Sequence, residues 1–116
     1  MAIYFVSANP QALLNAFDSR IEQDEAKGKI TTWLKSADGE YYTHASAEWR
    51  KKAWFKPVVE STRLTFNIIK PKNAIISSTV YGYYHGHLIE TFLNHFDDSF
   101  ETGCATALPA SGDHCS

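Results

Sequence analysis

From Ile30 to Ile69 the chain reads as one strand after another with no helical crossover between them, and strands connected in that way argue for antiparallel pairing. Ile30 to Lys35 and Glu40 to Ala45 flank Ser36-Ala37-Asp38-Gly39, whose Asp-Gly pair predicts a β-hairpin. Trp54 to Glu60 is expected at a sheet edge, because Pro57 has no N–H to give to a ladder. Arg63 to Ile69 alternates, which places Leu64, Phe66 and Ile68 inward, and Pro71 closes it. Ser46 to Lys52 fits either a short capped turn of helix or a loop.

Both flanks of this region carry helical signals. After a first strand over Ala2 to Ser7, expected to be buried on both faces, Asn9-Pro10 marks a helix start: Asn9 can cap, and Pro10 suits the first helical position. Leu13, Leu14, Phe17 and Ile21 form one apolar stripe, with Asp18, Glu22 and Glu25 away from most of it, and Gly28 is the expected C-cap after Lys27. A second helix is predicted from about Ser78 to Phe96. Val80, Tyr81, Tyr84, Leu88, Ile89, Phe92, Leu93 and Phe96 share its apolar arc, and Tyr83, His87, Glu90 and Asn94 lie opposite. The competing reading is a strand through Ile75 to Tyr84 and a shorter helix. Gly82 and Gly86, costly inside a helix, suggest close packing against another backbone.

These elements give an α+β fold: a small antiparallel sheet of four or five strands with two main helices packed on one face. A chain of 116 residues supports one hydrophobic core. Residues 1–100 are read as that single domain, and residues 101–116, which lack any period, as a flexible C-terminal tail. Both cysteines, Cys104 and Cys115, fall in this tail and away from the core, a usage that fits a reducing cytoplasm. The apolar run at the start is too short for a signal-peptide core. The longest uncharged stretch, Asn73 to Ile89, falls short of the roughly 20 apolar residues a membrane span needs, so no membrane association is expected.

The formal charge of −2 is unevenly spread. Residues 46–73 carry Arg50, Lys51, Lys52, Lys56, Arg63, Lys70 and Lys72 against Glu48 and Glu60, a net +5 that leaves −7 for the remainder. Basic residues interleaved with aromatics can neutralise phosphates and stack on bases, which makes Arg50, Lys51, Lys52, Trp54 and Lys56 candidate nucleic-acid contacts; a solvated loop with core aromatics has the same appearance. His85 and His87 point about 160° apart on a helix, and with His95, Cys104, His114 and Cys115 they match no familiar zinc spacing. No metal or cofactor is therefore expected. Tyr83, His87, Glu90 and Asn94 form a candidate surface polar cluster in which His87 and Glu90 can interact as an i, i+3 pair, although exposed helix faces commonly look so. Neither a nucleophile elbow nor a phosphate-cradling glycine loop occurs.

The leading expectation is a small non-enzymatic binding or regulatory module with a protein partner or a homodimeric state. The alternatives are a nucleic-acid-binding domain using the basic aromatic segment 49–56, and a small enzyme using the His85 to His95 helix.

Overall fold

The Asn9-Pro10 pair starts a helix as expected, with the Asn9 side chain accepting the Ala12 N–H at 3.1 Å. A computed structural model describes residues 1–116. Its elements in order are strand β1 (Ile3–Val6), helix α1 (Pro10–Glu22), strands β2 (Trp33–Lys35), β3 (Tyr42–His44), β4 (Trp54–Val59) and β5 (Arg63–Ile69), helix α2 (Ser78–Phe96) and strand β6 (Thr102–Ala105). One antiparallel sheet takes all six strands in the order β2-β3-β4-β5-β1-β6. The fold class is thus α+β as expected, but the sheet has six strands rather than four or five.

The added strand is β6. It lies in the segment read as a flexible tail and pairs with β1 along its length, from Ile3↔Ala105 to Val6↔Thr102. Gly103 allows the approach, because a Cβ there would sit 3.0 Å from the Phe5 ring. Beyond it the chain returns to β5, where the His114 N–H donates to Ile68 O at 2.9 Å and the Lys70 N–H to His114 O at 2.7 Å. Asp113 anchors this return. Its fully buried carboxylate accepts from the Ile68 N–H, the Asn67 Nδ2 and the Ala110 N–H at 3.0, 2.8 and 2.7 Å, and lies 3.4 Å from the Met1 amine. Cys115 packs against the hydrophobic core, so its sequence position did not keep it away from there; both thiols are free.

The alternation of β5 puts Leu64, Phe66 and Ile68 on the helix side, where they are fully buried. Rings from both helices meet them: Phe17 of α1 is edge-on to Phe66 at 5.8 Å, and Phe92 of α2 stacks on Phe5 of β1 at 4.1 Å. Such pairs add about 0.5–1.5 kcal/mol each beyond the area they bury. Two polar tips inside this layer find partners. The Trp33 indole donates to Thr91 Oγ1 at 2.9 Å, and the Tyr42 hydroxyl donates to Asp18. Burial, reinforced by that carboxylate, pushes the Tyr42 phenol far above the usual tyrosine range.

Several local expectations need correction. Helix α1 ends at Glu22, because Gln23 turns extended with ψ 147°; Gly28, at φ +76°, serves the turn that follows. Strand β4 is interior to the sheet, not at its edge, yet β3 reaches it only through Tyr42↔Phe55, leaving Pro57 paired on the β5 side alone. Helix α2 has the expected limits, but Leu93 is 52% exposed, outside the buried arc. Gly82 and Gly86 pack against nothing: a Cβ at either would meet no atom within 4 Å. Each therefore carries the helix penalty without a packing return, and Gly82→Ala and Gly86→Ala are expected to stabilise the protein by about 0.5–1 kcal/mol each. Thermal melts check this, and a fall in melting temperature would mean that those glycines serve a contact made outside the chain.

Candidate functional site

Because both helices cover one side of the sheet, the other side is left to the alternate residues of each strand. Trp54 and Lys56 of β4 lie there, opposite Ile69 and Asn67 of β5, and Val58 sits in a row with Thr65 and Tyr4. Trp54 meets Tyr41 edge to face at 6.5 Å, so the two rings do not cover one another. Three depressions run together across this face. The first, of about 260 Å³, is lined by Tyr41, Trp54, Ile69, Lys70 and Lys72. It shares Tyr41 and Ile69 with a second of about 270 Å³, which reaches Lys56 and His114. That one shares Val58, Asn67 and Gly112 with a third of about 350 Å³, lined by Tyr4, Glu60 and Arg63.

The C-terminal return forms one wall of this groove. Asn67 donates to Ser111 O at 3.0 Å, and Gly112, at φ +94°, rests against the Asn67 amide so closely that a Cβ would lie 2.8 Å from its Oδ1. At the Tyr4 end the Arg63 guanidinium sits over the phenol ring, 4.5 Å from its centre, and donates to Glu60 at 2.8 Å. Hydrogen bonds from the Thr65 hydroxyl and then Arg63 hold the Glu60 carboxyl below the usual glutamate range. That end is charge-neutralised. Lys56, Lys70 and Lys72 form no ion pair.

The segment 49–56 is divided between two surroundings. Trp54 and Lys56 join the groove, whereas Trp49 stacks on Tyr83 of α2 at 3.9 Å. Between them Arg50 donates to Ala45 O, and exposed Lys51 and Lys52 lie in a turn held by the Lys51 N–H to Thr43 Oγ1 bond at 2.9 Å. Tyr41, Ile69, Lys70 and Lys72, which belong to the groove, were missed by the sequence reading. Only the β3–β4–β5 pairing brings them together.

The polar cluster on α2 is a different object. Tyr83 is sandwiched between Trp49 and His87, and His87 Nδ1 is 3.9 Å from Glu90, while Asn94 is exposed beyond them. No depression of the surface includes His85, His87, Glu90, Asn94 or His95. His85 is buried, with its ring nitrogens against Tyr81 O and Met1 O; burial outweighs those carbonyls and lowers its pKa.

His44, under this cluster, has a sharper electrostatic consequence. Its Nδ1 accepts the Ser46 N–H at 3.1 Å, and its Nε2 is buried without a partner beside the rings of Trp33, Tyr83, Tyr84 and His87. Burial and then the neighbouring His87 lower its pKa. A histidine depressed in this way contributes stability that is complete above the unfolded value of about 6.5 and is lost as pH falls below it, because the unfolded chain then binds the extra proton. Urea midpoints are expected to drop between pH 7.5 and 5.5, and His44→Phe to reduce that drop; an unchanged pH dependence in the variant would remove His44 as the cause.

No known family, curated protein or solved structure matches this chain. Its chemistry has to be read from this geometry.

Proposed function

We propose that the protein is a small non-enzymatic binding module whose contact surface is the helix-free face of the sheet. The observation that carries the reading is the groove formed by adjoining depressions on that face, which keeps Trp54 and Tyr41 accessible over a floor containing Ile69 and Val58. Aromatic and aliphatic surface set among a few polar groups is the usual makeup of a binding cleft. An enzymatic role for α2 has less support, since His85 is tied to backbone carbonyls, His87 is stacked on Tyr83, and no depression of the surface includes His85, His87 or His95. The two free thiols favour a reducing cytoplasm, and no helix is long and apolar enough to cross a membrane.

Backbone-amide NMR provides the test. Isotope-labelled protein is titrated separately with a short oligo(dT) and with an oligoglutamate peptide, and shifts are expected to gather on Tyr41, Trp54, Lys56 and Ile69. A response centred on His87 and Glu90, or none to either probe, would count against this face.

A further inference from the structure

We propose that the ligand of this face is single-stranded nucleic acid, an inference that rests on the groove being the contact surface. Three observations point to it together. Part of the charge segregation in the sequence is also segregation in space: Lys56, Lys70 and Lys72 line the groove without ion-pair partners, Arg50, Lys51 and Lys52 lie outside it, and Asp18, Glu22, Glu90, Asp97 and Asp98 belong to the helical layer or the turn after it. An approaching polyanion is thereby drawn to one side of a chain whose net charge is −2.

The aromatic chemistry is equally specific. Trp54 and Tyr41 meet edge to face, so a ring face remains for a stacking partner, and the lysines stand beside them. A base offers a flat π-face and its phosphate a point charge, which is the pairing that planar aromatics interleaved with lysine accept. An acidic peptide would be better held by a bidentate arginine fork. The groove's Arg63 already spends part of its fork on Glu60.

The shape selects unpaired bases. From Tyr41 beside β3 to Tyr4 in β1 the groove crosses three strand intervals, roughly 14 Å at about 4.8 Å each. Stacking on Trp54 requires a base face that a duplex keeps within its own stack. The C-terminal wall at Gly112 and Asn67 would direct the strand across the sheet toward Tyr4.

Fluorescence anisotropy with fluorescein-labelled oligo(dT) tests this on the full chain. Binding is expected to weaken with salt, and replacing Lys56, Lys70 and Lys72 together by Ala should flatten the slope of log affinity against log salt by about 2, at roughly 0.7 per contact. Trp54→Ala should weaken binding roughly 5- to 150-fold, with Trp54→Phe recovering most of it. The lysine series guards against a Trp54 variant that folds poorly. Absence of binding at low salt, equal competition by a duplex of the same length, or a salt slope untouched by the lysine changes overturns the proposal. If labelled oligoglutamate binds in a Trp54-dependent way and oligo(dT) does not, the ligand class is wrong while the contact face stands. Binding that survives all these substitutions and is lost on His87→Ala instead removes both.

Discussion

Deleting residues 101–116 is expected to remove most of the protein's stability, a loss above about 4 kcal/mol from the roughly 5–15 kcal/mol typical of a domain. The segment has none of the apolar periodicity that marks a core element, yet the sheet depends on it. Without β6, β1 becomes an unpaired edge and the Phe5 ring loses the cover of Gly103. Loss of Asp113 also strands the Ile68 and Asn67 donors at the β5 edge. Asp113→Ala alone should cost about 3 kcal/mol, since each buried donor left without an acceptor costs about 1–3 kcal/mol. Urea titrations followed by circular dichroism measure both. A truncated protein with the midpoint of the full chain would mean that the C-terminal segment rests on the sheet without supporting it.

Phe92→Ala is expected to cost about 3–5 kcal/mol, and Trp54→Ala less than about 1.5 kcal/mol, although tryptophan is the larger side chain. The difference is one of position. Phe92 is fully buried and its ring meets those of Phe5, Phe17, Phe66, Phe96 and Phe100 at once, joining both helices to the sheet. Trp54 is half-buried on the opposite face with Tyr41 as its ring neighbour. Denaturant midpoints for the two variants decide the matter, and losses of equal size would return Trp54 to the structural core and withdraw it from the groove.

What could be read from the sequence was what local chemistry determines. Helix α1 announces itself through Asn9-Pro10, α2 through an apolar arc long enough to outweigh its two glycines, and β5 through strict alternation. Strand β6 could not be read in that way. Thr102-Gly103-Cys104-Ala105 has no inward and outward pattern, and it is a strand because β1 supplies the missing ladder. Gly103, one of the small residues taken as a mark of disorder, answers to the nearness of Phe5. Gly82 and Gly86 failed in the opposite sense: a spacing that suggests close packing meets only open space. The groove was half legible. Trp54 and Lys56 share a strand face by alternation, whereas Tyr41 just before β3, Lys70 and Lys72 just after β5 and Tyr4 in β1 are brought alongside by a register that no local pattern states.

The place of β1 between β5 and β6 also has a consequence in time. Ile3 pairs with Phe66 on one side and with Ala105 on the other, so the strand is synthesised well before either neighbour exists. At the usual 5–20 residues per second, translation alone keeps β1 waiting roughly 5 to 20 s for its second partner. Until β5 has been made, Ile3 and Phe5, which end fully buried, have no sheet to enter. Pairings this distant in sequence are also slow to form once the chain is complete, because loop closure precedes their reward. The nascent protein therefore passes through a sticky stage, and its yield in the cell is expected to follow the supply of holding chaperones more closely than the stability of the finished fold.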